Sequence, residues 1–150
     1  NPLDPNNIII AVQQDHWGVA SWLSCSVFYT LDGGSTWTQA NVITSRHQGA
    51  TTPDDINDWE IDNDPDIAFD YQGNAYFSNL GFNFVQAIYS DCPGGNFNED
   101  VQFFKSTDKG QSWTKAQHIT VDDGNSHFLE KQTIVADPYR ENVLYAFVPD

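Results

Sequence analysis

The densest chemistry in this sequence lies between positions 53 and 66, where seven acidic residues and two asparagines crowd together. Asp58, Glu60, Asp62 and Asp64 alternate with other residues and supply carboxylate oxygens. Ca2+, a hard cation that takes about six to eight oxygen ligands, needs such a supply. The run lacks the glycine and closing glutamate of a helical calcium loop, and a solvated acidic loop has the same composition. Asp64 and Asp66 open an expected strand, and Glu130 with Lys131 opens a later one in the equivalent place. A carboxylate in that position serves as a general acid or as half of a structural ion pair. His16, His47, His118 and His127 are dispersed and show no metal-ligand spacing. The glycine-rich run at 92–96 has neither a lysine nor a following helix pattern, so it reads as a turn and not as a phosphate loop.

The elements that must hold these residues are announced by a repeat. Thr30-Leu31-Asp32-Gly33-Gly34-Ser35-Thr36-Trp37 returns as Ser106-Thr107-Asp108-Lys109-Gly110-Gln111-Ser112-Trp113. Each copy follows an apolar strand pattern, so the chain is assembled from equivalent β units. The central Gly34 and Gly110 suit a turn between antiparallel strands that needs positive φ. Asp32 and Asp108, with Thr36 and Ser112, can bond the turn's own N–H groups, and Trp37 and Trp113 can pack back across the hairpin. These eight residues are read as structural. A second repeat, strand–turn–strand, spans 66–77 and 133–146, and its latter half is present at 3–11.

The pattern predicts an all-β chain of nine strands in units of four antiparallel strands, A to D. Strands B, C and D of one unit fall near 8–13, 25–31 and from 37. A whole unit follows near 67–69, 75–78, 101–106 and from 113, and A and B of a third lie near 133–136 and 143–148. As segments these are 7–42, 66–119 and 131–148. No stretch sustains helical periodicity.

The formal net charge is −15, with 21 acidic and 6 basic residues, which argues against nucleic acid and anionic membrane surfaces as partners. No apolar run reaches the length of a membrane span. Cys25 and Cys92 would form one disulfide in an oxidising compartment or remain two buried thiols. The absence of an initial methionine predicts a processed product or a piece of a longer protein.

The Asp-box repeats, with the stretches NPLDPNNIIIAVQQDHW, DPDIAFDYQGNAYFS and FLEKQTIVADPYRENVLYAF, resemble bacterial sialidase-like proteins with BNR/Asp-box repeats. The resemblance covers nearly the whole chain. It implies a β-propeller of six blades, or seven as the alternative, of which about two and a quarter are present. Two blades and a fraction cannot close a ring. Flanking sequence, or other copies pairing through open sheet edges, would complete it. It also implies a secreted or periplasmic protein that acts on a glycan or polysaccharide. Sialidases of this fold clamp the sialate carboxylate with three arginines and use a Tyr–Glu pair and an Asp in catalysis. This chain has two arginines, Arg46 and Arg140, and neither matches the clamp. Hydrolysis would therefore need residues on missing blades. The alternative is a non-catalytic glycan-binding, adhesion or assembly propeller.

In such a fold the Asp-box turns lie on the face away from ligand. Segments 14–24, 42–66, 79–100 and 120–130 are expected as long polar loops on the ligand face. There Asp15, His16 and Trp17, with Trp22 nearby and Lys131, would offer hydrogen bonds and an aromatic platform to a sugar ring, though the tryptophans equally suit gap filling between blades. Asp64, Asp66 and Glu130 are the candidate catalytic acids. In a retaining enzyme two such carboxyl groups stand about 5 Å apart.

Overall fold

The structure, a computed structural model, describes residues 1–16, 22–42, 44, 61–83, 98–121, 129 and 131–149. At 15–16, 22–23, 61, 82–83, 98–99 and 115–121 it describes the backbone alone. These residues form an all-β arrangement in which every paired strand is antiparallel, with no helix among the described residues.

The first sheet holds β1 (Ile8–His16), β2 (Trp22–Thr30) and β3 (Thr38–Gln39) in that order. The second holds β4 (Ile61–Phe69), β5 (Ala75–Asn83), β6 (Asn98–Ser106) and β7 (Thr114–Val121), again in chain order. The third pairs β8 (Thr133–Ala136) with β9 (Leu144–Phe147).

Alternation along the strands builds two cores, because successive side chains leave opposite faces of a sheet. One face of the second sheet sends Ala75, Phe77 and Phe104 against Ile9, Cys25 and Val27 of the first. The other face sends Tyr76, Leu80, Val101 and Phe103 against Ile134 and Ala136 of the third. β5 is therefore buried on both sides, and Phe77 stacks on Phe104 and meets Trp113 edge-on. Three sheets lie in a row with a core in each gap.

The outer faces of the row are apolar and uncovered. Ile8 and Ile10 of β1 are 40% and 41% exposed, and Val135 and Phe147 of the third sheet are 58% and 69% exposed. Thr133 opposes Phe147 and Val135 opposes Tyr145, so these side chains share one face.

Several strands run further than the apolar pattern indicates. β4 begins at Ile61 and not near 67, and β5 continues to Asn83. The expected loops at 14–24, 42–66, 79–100 and 120–130 thus give up their ends to β-structure. The extra residues mix polar side chains such as Asp62, Asn79 and Asp100 with apolar ones such as Leu80, so the apolar alternation is interrupted where the ladder bonds continue. In β4 the register shifts between Asn63 and Asp66. Asp64 takes φ 49° there and Pro65 follows, as suits a bulge, where a proline costs the ladder no donor.

Candidate functional site

The strand reversals sort the chain's polar residues to two ends. Tight turns join β2 to β3, β4 to β5, β6 to β7 and β8 to β9 at one end. The strand ends that flank segments 17–21, 43–60, 84–97 and 122–132 lie at the other.

At the turn end the carboxylates serve their own backbone. Asp32 Oδ1 accepts from the Thr36 N–H at 2.9 Å and the Thr30 hydroxyl at 2.6 Å, and Oδ2 accepts from the Thr36 hydroxyl at 2.7 Å. Asp108 repeats the pattern: Oδ1 accepts from the Ser112 N–H at 2.9 Å and the Ser106 hydroxyl at 2.8 Å, and Oδ2 accepts from the Ser112 hydroxyl. Thr30 and Ser106 also accept from the N–H groups of Gly34 and Gly110. Trp113 donates its ring N–H to the Gly110 carbonyl at 3.0 Å. Bonds from the Thr30 hydroxyl and then from Thr36 lower the Asp32 carboxyl to about 2. Burial pulls the Asp108 carboxyl up, but the Ser112 and Ser106 donors together hold it below the ordinary range.

The A–B hairpin turns use the same device. Asp70 accepts from the N–H groups of Gln72 and Asn74, from the Asn74 amide and from the Tyr76 hydroxyl. Asp137 accepts from the N–H groups of Tyr139 and Arg140, from the Arg140 side chain at 2.8 Å and from the Tyr145 hydroxyl at 2.7 Å. The Tyr145 bond, then those from Tyr139 and Arg140, hold the Asp137 carboxyl well below the usual range. Arg140 is thereby committed to a turn.

Contacts between sheets knit this end further. Lys109 bridges to Asp4 at 2.7 Å. Fully buried Asn7 donates to the carbonyls of Thr30 at 3.1 Å and Lys109 at 2.9 Å, so one amide joins the first sheet to the second Asp-box turn.

The opposite end holds polar side chains at strand positions. Asp62 is fully buried and accepts from the Cys25 N–H at 2.7 Å and the Asn79 amide at 3.3 Å. Burial pushes its carboxyl up to about 7 against the pull of these donors and the Thr44 hydroxyl. Burial, and then the charges of Asp62 and Asp64, push the Cys25 thiol far up. Asp100, Gln102 and Gln132 are also buried here. Gln132 donates to the Asp64 carbonyl, which ties the approach of β8 to the β4 bulge.

Asp66 is a tether. Its Oδ2 accepts from the Ile134 N–H at 2.8 Å and its Oδ1 from the Ile67 N–H at 2.9 Å, so the carboxylate holds β8 against β4. Asp64 sits in the bulge, its N–H donating to the Gln13 side chain at 3.3 Å. Lys131 is exposed with φ 31°. Asp15 and His16 pair through the backbone with Leu23 and Trp22, their side chains undescribed. Trp17, Asp58, Glu60, Glu130 and Cys92 lie outside the described residues. The structure thus brings Asp62 and Asp64 to one neighbourhood and gives Asp66 a backbone partner. Among the described residues no three His, Cys, Asp or Glu side chains form a metal-holding group.

Sequence reasoning passed over Asn79, Asp100, Thr44 and Gln132. For Asn79 and Asp100 the available signal was register: they stand at buried strand positions where the flanking alternation calls for apolar residues. No protein-family model matches the chain, and no curated protein matches it.

Proposed function

We propose that these residues form about two and a quarter blades of a sialidase-like Asp-box β-propeller, secreted, whose end opposite the Asp-box turns contacts a glycan. The observation that carries this reading is the pair of Asp-box turns, which make the same carboxylate-to-backbone and carboxylate-to-hydroxyl bonds on two successive stacked sheets. Two further features support it. The second sheet is a complete four-stranded antiparallel unit, and the outer faces of the row are apolar, as the faces of blades awaiting neighbours would be.

The turn end has its carboxylates and Arg140 engaged in holding turns, which leaves the end that carries the long connections for a ligand. Sialoside hydrolysis is the activity implied by the resemblance, with the arginine clamp and the Tyr–Glu pair supplied from outside these 150 residues. A non-catalytic glycan binder is the second reading. It is favoured by the commitment of Arg140 to Asp137 and of Asp66 to the Ile134 N–H. Assaying the full-length protein with a fluorogenic sialoside and on a glycan array decides the matter. Turnover supports the enzyme, and saturable binding without turnover supports the binder. Neither result on a folded protein would sink both readings.

A further inference from the structure

The two gaps between sheets repeat one arrangement of side chains. Ile8 opposes Thr30, the first residue of one Asp-box, as Ala75 opposes Ser106, the first of the other. The first two sheets therefore match position by position. On the second, Phe77 and Phe104 oppose one another and face the first sheet, with Trp113 beside them. Their counterparts on the first sheet are Ile10 and Phe28, also opposed, and Trp37 holds the place of Trp113. Ile9 and Val27 point into the gap, so Ile10 and Phe28 project from the outer face. Ile10 and Trp37 are exposed there.

The third sheet matches the second in the same way. The Tyr145 hydroxyl bonds Asp137 as the Tyr76 hydroxyl bonds Asp70, and Val135 opposes Tyr145 as Ala68 opposes Tyr76. Lys105 lies over the Tyr76 ring and Arg140 over that of Tyr145. On the second sheet this face is covered, because Tyr76 and Ala68 pack against Ile134 and Ala136. On the third sheet Val135, Tyr145 and Phe147 are exposed.

Both covered gaps thus join the same two kinds of face. The face carrying Ile67, or its counterpart Ile134, meets the face of the preceding sheet carrying Ile9, or its counterpart Tyr76. The row begins on a free face of the first kind and ends on a free face of the second. The sheets between them hold these two halves apart within one molecule, and a second copy offers both.

We propose that the outer face of the first sheet docks on the outer face of the third sheet of a second copy, head to tail, and continues the row. Such a contact joins unlike patches, so copies add in series until a ring closes or a filament grows. The contact is apolar and aromatic, while the net charge of −15 sets the copies against each other. Salt screens that repulsion and strengthens the association. The docking needs no glycan and stands apart from the function proposed above.

The test is sedimentation velocity on the 150-residue chain with one face blocked at a time. Ile10→Lys puts a charge on the outer face of the first sheet, and Val135→Lys on that of the third. The wild type should associate as its concentration rises, and more so with added salt. Each variant alone keeps only one kind of half. It should stay monomeric at concentrations about tenfold above those at which the wild type associates. Mixed in equal amounts, the two variants should form a dimer and nothing larger, since each supplies the half that the other lacks. Circular dichroism checks the fold of each, and Trp37→Gln or Phe147→Lys replaces a variant that does not fold.

The proposal is overturned if the wild-type chain stays monomeric, or if the mixture of two folded variants does. Dimerisation of either variant alone also overturns it, because a face would then pair with its own kind. Loss of association on adding salt would assign the contact to charge pairs and sink the docking of these faces.

Discussion

Asp32 and Asp108 show how far a single side chain determines its own surroundings. Each carboxylate collects donors within four residues, so its role follows from local spacing and was legible before any fold was known. The bonds also set a pH dependence. The Asp32 carboxyl, held at about 2 when folded, has an unfolded value of about 3.9. Its contribution is present above that unfolded value and is lost as pH falls toward 2. Urea midpoints should therefore drop between about pH 4 and 2 for the wild type, and more shallowly in that window for Asp32→Asn. Gly110 carries a different constraint. At φ +88° a Cβ would come within 2.6 Å of Ile9 Cδ1, a side chain of the neighbouring sheet. Gly110→Ala should cost about 1–3 kcal/mol by urea denaturation from backbone strain alone, before Ile9 has to move. The role of Asp66 was not legible. Its partner, the Ile134 N–H, lies 68 residues away, and nothing in a local pattern names it.

At the level of strands, β5 is the element on which both cores depend. Phe77→Ala removes a fully buried ring that touches Phe104 and Trp113, and should destabilise by about 3–5 kcal/mol in urea or thermal unfolding. The third sheet rests on fewer contacts, the Asp66 bond among them. Asp66→Ala should cost about 1.5–3 kcal/mol, the usual size for a hydrogen bond to a charged group. Hydrogen exchange should show the loss concentrated at the Ile134 amide and along β8 and β9. Apolar alternation revealed the middle of each strand, because Ala75, Phe77, Val101 and Ile134 bury in the expected sense. It failed at the ends near the long connections. Asp62, Asn79 and Asp100 are paired and buried there, but they read as loop because their partners are polar.

For the whole molecule, the row of sheets has two cores and two uncovered apolar faces. Patches of this kind mark interaction surfaces. The 150-residue chain by itself should self-associate in sedimentation velocity, and Val135→Lys with Phe147→Lys should shift it toward monomer. An unchanged distribution would show that these faces do not drive association. How many such units the protein has was not legible, since a repeat reports its own period and not its count. The remaining consequence concerns Asn7. Hairpins stacked in series, each closed by its own turn, would ordinarily come apart one after another, as beads leave a string. A buried amide that grips a carbonyl of β2 and another in the turn after β6 makes the opening of either sheet strip a donor from both. The first two sheets should therefore melt as one cooperative unit, and the Asn7 amide is where that cooperativity is concentrated.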